Sequence, residues 1–219
     1  MASYTLEQLS GWVREGASRA QNTGNQLQQA RSEIQRCANG IASLTERKNK
    51  VEVAISNHRS QIAALEAQLS NMDDEEDDGS AAAIRSQISM LQGQLAQYEN
   101  LWRELVQGIQ QMRAELKSRQ EEARVCAAKL EQLDMTLDAI NDGFTEHFQE
   151  SVTAKETFSK LAGGRFGAAD ASAKVAVMQE RINVCMAFQN QIRSIQAWIR
   201  QLLDTGEDRE KELTLGRSR

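Results

Sequence analysis

The chain has 219 residues, no proline and a net charge of −5, with 40% hydrophobic but only 5% aromatic residues. Proline makes up about 5% of residues in average proteins, so a chain of this length would be expected to contain roughly eleven. Because proline breaks helix interiors, its absence is typical of a chain that is helical almost throughout. The low aromatic content and the mean hydropathy of −0.57 argue against a large compact globular core.

The charges and terminal sequences exclude further classes. One acidic run, residues 73–78, carries six negative charges, so the rest of the chain is close to neutral and has no basic stripe for nucleic acid. No apolar stretch approaches the roughly 20 residues that span a bilayer. The first residues lack a classical signal peptide, and three cysteines in a chain of this size favour a reducing compartment. The sequence therefore predicts a cytoplasmic protein, with non-classical secretion left open.

The first segment carries a heptad pattern from Leu6 to Met72. Between Leu27 and Met72 only Lys48 and His58 interrupt its apolar seam. A seam sustained for more than six heptads indicates a coiled-coil helix, and the strict seven-residue repeat predicts left-handed supercoiling.

A second seam of about nine heptads runs from Ile84 to His147. Two long stripes joined by a short acidic loop at 73–80 predict an antiparallel hairpin, with Gly79 in a turn and Ser80 as the cap of the second helix. Each arm would be about 100 Å long.

The hairpin register follows if Met72 faces Ile84. Partner numbers then sum to about 156, so His58 is expected to face Tyr98 and His147 to face residue 9. By the same rule Cys37 falls near Arg119. The pairings of His58 and Cys37 agree with the tendency of polar seam positions to meet polar or amphipathic neighbours, whereas His147 lies too far from His58 to share a metal ion with it.

A third helix is predicted after the stop at Gly163-Gly164, capped by Asp170 or Ser172. Asp142-Gly143 is a candidate break in the second helix. The third helix has a wide apolar face, which indicates contact with more than one neighbour. It is expected to fold back on residues 130–162 and 6–27.

These elements together predict an all-α fold and one elongated helical domain, 1–204. Its hairpin arm would span about 28–129, and a three-helix or four-helix base would form from 1–27 and 130–204. The charged segment 205–219 is expected to be a flexible tail.

The acidic run is the first candidate binding site. Its members are Asp73, Asp74, Glu75, Glu76, Asp77 and Asp78. An EF-hand loop spaces its ligands, with glycine sixth and glutamate twelfth, whereas here six acids are contiguous and the twelfth position is Ile84. Three interpretations remain: a solvated loop, an electrostatic docking site for a basic partner, or, less in keeping with the spacing, a metal site.

Two tryptophans, Trp12 and Trp198, are candidate partner-binding residues of the base. They would either pack together in the base or present a surface to a partner. The remaining chemistry-bearing residues favour structural roles: the two histidines lie in the seams, and Cys37, Cys126 and Cys185 resemble small buried apolar side chains. No motif indicates a nucleophile, a metal or a cofactor, so the sequence predicts a protein that is not an enzyme.

One stretch of the base, "GRFGAADASAKVAVMQERINVCMAFQNQIRSIQAWIRQLL" (164–203), resembles the helical proteins of type VII secretion. That group comprises the WXG100 class and the accessory proteins of LXG toxins. The stretch has an aromatic–glycine–alanine turn before a helix with a wide apolar face, but it lacks the Trp-x-Gly turn and the export motif of that group. The resemblance implies an adaptor or chaperone for a secreted helical partner.

Long helical hairpins of this length are also similar to membrane-remodelling proteins of the phage-shock and ESCRT-III class. Those carry a basic amphipathic N-terminal helix, whereas residues 1–20 offer only Arg14 and Arg19 beside Glu7 and Glu15, which argues against membrane attachment. The expected function is a coiled-coil adaptor for helical protein partners, with homo-oligomerisation open. The alternative is a self-assembling filament or membrane-remodelling protein.

Overall fold

Three long helices make up the computed structural model, which describes residues 4–72, 78–163 and 168–215. Helix α1 spans Leu6–Ser70, α2 spans Asp78–Ala162 and α3 spans Ala168–Leu215. The described residues contain no strand, so the predicted all-α hairpin with a third helix packed on it is confirmed.

The beginning of α1 is fixed by a reciprocal cap. The Thr5 hydroxyl accepts a hydrogen bond from the Gln8 amide at 3.2 Å, and the Gln8 side chain accepts one from the Thr5 amide at 2.9 Å. This capping box satisfies two backbone donors that a helix start leaves unpaired.

Several predicted helix boundaries differ from those observed. Helix α2 begins at Asp78, so residues 78–80 belong to a helix rather than to the tip loop. Helix α3 begins at Ala168, two residues before the predicted cap at Asp170, whose carboxylate instead pairs with Lys174 at 2.9 Å. Acidic residues favour the first turn of a helix as well as its cap, because they stabilise the positive end of the helix dipole.

Helix α3 also continues to Leu215, beyond the predicted start of the tail at residue 205. The apolar stripe does end near Leu203, but the segment after Gly206 is rich in Glu, Lys and Leu. These residues have high helix propensity, which helps the helix to continue without an apolar face.

The expected break at Asp142-Gly143 is absent, because α2 runs through it. A Cβ on Gly143 would lie 3.1 Å from Leu9 Cδ2. This glycine therefore permits α1 and α2 to approach closely, whereas the helix does stop at the predicted Gly163.

The chain divides into two compact units. The first comprises Met1–Arg31 and Glu121–Arg219, and the second is Ser32–Gln120. Because α1 and α2 each contribute to both, we describe each unit by itself.

The second unit is an antiparallel helix pair. Arg36 pairs with Glu115 at 2.8 Å, and Arg59 pairs with Glu99 at 2.7 Å, so partner numbers fall along α2 as they rise along α1. The predicted facing of two rings is also confirmed, since the His58 and Tyr98 centroids lie 5.2 Å apart.

Near Gly40 and Gly108 the facing residues lie about four positions from the predicted pairing, whereas the His58–Tyr98 contact keeps the predicted sum of 156. A Cβ on Gly40 would lie 2.6 Å from Met112 Sδ, and one on Gly108 would lie 3.4 Å from Leu44 Cδ1. Partner numbers here sum to 152 rather than 156.

The double variant Leu44→Cys with Gly108→Cys is expected to form a disulfide within one chain in a Cys37→Ser background. A Cβ on Gly108 would lie 3.4 Å from Leu44 Cδ1, so the two positions face each other across the pair, as a disulfide requires. Mass spectrometry under non-reducing conditions measures the crosslink. The matched control combines Leu44→Cys with Gly93→Cys, because a Cβ at Gly93 would meet nothing within 4 Å. Equal crosslinking in both variants, or crosslinks only between chains, would contradict the register.

The first unit is a three-helix bundle in the described residues. Lys155 pairs with Gln179, Thr145 with Gln189 and Asp138 with Gln196, so α3 runs antiparallel to α2. Between α1 and α3 the numbers of contacting residues rise together along both helices. Gly24 lies against Trp198, and Arg31 donates to the Leu202 carbonyl at 2.6 Å, so α3 is parallel to α1.

The core of this bundle is mainly apolar, with Ser151 and Gln196 as buried polar side chains among the residues described. Phe144 is 0% exposed and stacks on Phe188 with ring centroids 5.3 Å apart. The other large, fully buried apolar side chains come from all three helices: Leu9, Val13, Leu27, Leu130, Leu137, Ile192 and Ile199. Burial of this stripe supplies the main favourable term for folding of the unit.

Polar contacts between α2 and α3 add directional constraints to the core. The nearly buried Gln196 donates to the Asp138 carboxylate at 2.6 Å, and Arg200 donates to Asp134 at 3.3 Å. Such contacts require one particular register, because sliding α3 along α2 would leave these groups without partners.

Candidate partner-binding site

The acidic run lies largely outside the described residues. Residues 73–77 are not described, and of Asp78 only the backbone is described, as the first residue of α2. The docking role predicted for this run therefore stays a prediction.

Trp198 lies in the interface between α1 and α3. It is half-buried, and a Cβ on Gly24 would lie 2.3 Å from its Cη2 atom. The ring therefore occupies the space that this glycine leaves open. This geometry assigns Trp198 to helix packing.

Trp12 has a different environment. It is 37% exposed, and it lies twelve residues before Gly24, which is about 18 Å along α1. Its ring packs edge-on against Tyr4, with centroids 4.8 Å apart and an interplanar angle of 73°. The two candidate tryptophans thus contact different residues.

Tyr4 is held in place from the other side by α2. His147 Nε2 donates a hydrogen bond of 2.6 Å to the Tyr4 carbonyl. Together with the Thr5 cap, this contact fixes the start of α1 against α2 and so orients the Tyr4–Trp12 pair. An aromatic pair held in this way loses little conformational entropy when it binds.

The pair lines an open groove of about 430 Å³ between α1 and α2, which we call the Trp12 groove. Its lining residues are Tyr4, Leu9, Trp12, Glu15, Gly16, Arg19, Leu133, Thr136, Ala139 and Ile140. No residue of α3 is among them, so the third helix leaves this face of the α1–α2 pair uncovered.

Charges lie only on the α1 side of the groove. Glu15 and Arg19 form an ion pair one helical turn apart, with side chains 55% and 70% exposed. An exposed pair of this kind contributes little stability, so both groups can exchange partners at low cost. The α2 wall, by contrast, consists of Leu133, Ile140 and small side chains.

A second groove lies in the second unit around Trp102. It encloses about 770 Å³ and is larger than the Trp12 groove, and Arg59 and Glu99 of its lining pair with each other at 2.7 Å. Trp102 donates to Glu52 at 2.9 Å and Lys48 pairs with the same carboxylate at 2.9 Å. Hydrogen bonds from Lys48 and Trp102 lower the pKa of Glu52. Four of its polar lining residues, Glu52, Arg59, Glu99 and Trp102, are therefore engaged within the unit rather than left for a ligand.

Metal binding has no support in the side chains described. The ring nitrogens of His58 lie 2.9 Å from the Ala54 carbonyl oxygen and 3.1 Å from Gln94 Oε1. Among the residues the structure describes, no group of three or more His, Cys, Asp or Glu is placed to hold an ion.

The three cysteines are buried and free, as the sequence predicts for small apolar side chains. Burial raises the pKa of the Cys126 thiol, and burial also raises the pKa of the Cys185 thiol. Raised values keep both thiols protonated and weakly nucleophilic near neutral pH.

These thiols are expected to make stability fall above about pH 9. In the unfolded chain they ionise near the ordinary pKa of about 8.5, whereas in the folded chain they stay protonated to higher pH, so deprotonation favours unfolding. The stabilising effect is fully present below the unfolded pKa. Urea denaturation at pH 7 to 10 should show that the free energy of unfolding falls less steeply with pH in the double variant Cys126→Ala with Cys185→Ala than in the unchanged chain. Identical pH slopes would contradict the raised pKa values.

Sequence reasoning missed Tyr4 and His147 as parts of the site. His147 was placed opposite residue 9, and the contact with the Tyr4 carbonyl depends on the register at the start of α1. The sequence signal that could have found Tyr4 is its place directly before Thr5-x-x-Gln8, the pattern of a capping box.

No described helix has a stretch long and apolar enough to cross a membrane. Comparisons with protein-family models, with curated proteins and with solved structures gave no match to this chain.

Proposed function

We propose that this protein is a non-enzymatic adaptor that holds an amphipathic helix of a protein partner in the Trp12 groove. The observation that carries the proposal is the 37% exposure of Trp12 in a groove between two helices whose α2 wall carries no charged side chain. A groove between helices accepts the apolar face of a further helix through side chains at i, i+3, i+4 and i+7.

The composition of the groove supports this use. Tryptophan and tyrosine are the residues most often found at the energetic centre of protein interfaces, because they combine a large apolar surface with a polar atom. Glu15 and Arg19 at the rim would then select the orientation of the partner helix. The similarity of residues 164–203 to type VII secretion proteins supports a secreted helical protein as the partner.

The variant Trp12→Asp is expected to lower partner affinity by at least 2 kcal/mol, or about thirtyfold, because it removes the anchor and places a charge in the groove. The measurement is quantitative capture of co-purifying proteins from the source cells. Met186→Asp is the matched control, since Met186 is 50% exposed on α3 and does not line the groove. Unchanged capture by Trp12→Asp, or equal loss in both variants, would contradict the proposal.

The alternative is a self-assembling filament or a membrane-remodelling protein. Size-exclusion chromatography with light scattering, with and without anionic liposomes, separates the two functions. An adaptor should keep one molar mass over a wide concentration range and ignore the liposomes. A polymer that grows with concentration, or co-elution with lipid, would favour the alternative.

A further inference from the structure

The outer face of α2 carries a second heptad pattern beside its buried one. Its members follow each other in steps of three and four residues: Val125, Ala128, Gln132, Met135 and Ala139. Residues at this spacing lie on one face of a helix. We call these five residues the outer seam. Four of them are apolar, none is charged, and all lie in the first unit.

Neither α1 nor α3 covers the outer seam. Met135 is 66% exposed and Val125 is 39% exposed, and Ala128, Gln132 and Ala139 are exposed as well. The hydrogen bonds that tie α3 to α2 in this region use other residues of α2. A single exposed apolar residue is common on protein surfaces, but here the exposed residues repeat with the spacing of a helix-packing face.

The outer seam joins the Trp12 groove at Ala139. This residue lines the groove, and Met135 precedes it by about one helical turn. From Ala139 back to Val125 the seam covers fourteen residues, or about 21 Å along α2. A helix that lies in the groove and runs along α2 would therefore meet the seam over two heptads.

The sizes of the seam side chains alternate. Ala128 and Ala139 are small, and the long side chain of Met135 lies between them. Where helices pack knobs into holes, a small residue leaves room for a large one of the partner, and a large residue requires a small one. Gln132, at the centre of the seam, would need a hydrogen-bonding partner once it is covered.

Charges of both signs flank the outer seam. Arg124 and Lys129 are exposed on its borders, and so are Glu131 and Asp138. The two signs balance, so the flanks favour neither a basic nor an acidic occupant. Recognition at this surface therefore depends on the shape and polarity of the seam itself.

We propose that the helix held in the Trp12 groove continues along α2 and packs on the outer seam with a heptad pattern of its own. Its large apolar side chains lie opposite Ala128 and Ala139, a small one lies opposite Met135, and an amide lies opposite Gln132. This inference rests on the proposed function. It adds a size pattern for the partner helix and a length of about sixteen residues.

Dye-labelled peptides test the size pattern. Each is a stapled helix of about 18 residues, because so short a helix does not fold unaided. Two probes carry Ala, Leu, Gln, Ala and Leu at the seam spacing, one in each chain direction, and a third peptide of the same composition lacks the spacing. Fluorescence anisotropy with the full chain should show one probe binding at least about tenfold more tightly than the third peptide.

Filling one small position of the seam tests the contact itself. Ala128→Leu should weaken the tighter probe at least about tenfold, because two leucine side chains would then compete for the same space. A probe with Ala in place of that Leu should bind this variant more tightly than it binds the unchanged chain. Such recovery reports direct contact, since a general loss of folding would weaken both probes. Met186→Asp, at an exposed residue of α3, should bind like the unchanged chain.

The variant Trp12→Asp separates this inference from the proposed function. If Trp12→Asp abolishes partner capture and probe binding while Ala128→Leu has no effect, the outer seam is not part of the site and the Trp12 groove alone binds the partner. If Trp12→Asp leaves partner capture unchanged, the proposed function itself fails.

Three further outcomes would overturn the proposal. The first is that none of the peptides binds, or that all three bind equally. The second is a dimer in light scattering that Met135→Asp dissociates, because a second copy of the chain would then cover the seam. The third is binding to anionic vesicles that Met135→Asp abolishes, which would assign the surface to lipid.

Discussion

Replacing Phe144 with alanine is expected to lower the free energy of unfolding by about 3–5 kcal/mol. Phe144 is 0% exposed, and its ring stacks on Phe188 in the three-helix unit. The substitution removes the transfer free energy of the ring and leaves a cavity that long, close-packed helices cannot easily collapse around.

Urea denaturation followed by circular dichroism measures this loss. The control is Met135→Ala on the same helix, where the side chain is 66% exposed and the expected change is within about 0.5 kcal/mol. A loss below about 1 kcal/mol for Phe144→Ala would mean that α3 does not pack on α2 as described.

Gly24→Ala is expected to destabilise the protein by about 1–3 kcal/mol, although alanine is the better helix former. The added Cβ would lie 2.3 Å from the Trp198 ring and 2.8 Å from Leu202 Cδ1. Since the ring is rigid, either α3 must shift or Trp198 must leave its rotamer.

The control for this prediction is Gly11→Ala in the same helix. A Cβ at Gly11 meets nothing within 4 Å, so this variant should gain about 0.5–1 kcal/mol from helix propensity alone. Thermal unfolding should show a loss of stability for Gly24→Ala and a gain of stability for Gly11→Ala. A gain in both variants would contradict the close contact between α1 and α3.

The helical fold could be predicted from the sequence because its signals are strong and local. The absence of proline and the long heptad seams predict helices regardless of what packs on them. The roles of individual glycines could not be predicted, because a glycine that ends a helix and one that permits close approach look alike in sequence. Gly163 ends α2, whereas Gly143 lies in mid-helix against Leu9.

The candidate site was predictable only in part. An apolar or aromatic residue on a helix can be identified from periodicity, but whether another helix covers it depends on contacts distant in the chain. Trp198 is covered by the close approach at Gly24, and Trp12 is left open because α3 packs on another face. The contact of His147 with Tyr4 joins residues 143 positions apart, beyond the reach of any local pattern.

Site-specific photo-crosslinking from the Trp12 groove is the most direct test of the adaptor function. A benzoylphenylalanine in place of Ala139, an exposed residue of the groove wall, would be activated in the source cells and its crosslinked peptides mapped by mass spectrometry. The proposed function predicts crosslinks to one amphipathic helical segment of another protein, lost in the Trp12→Asp background and absent when the probe stands at Met186. No crosslinked partner from Ala139, or the same partners from both positions, would contradict it.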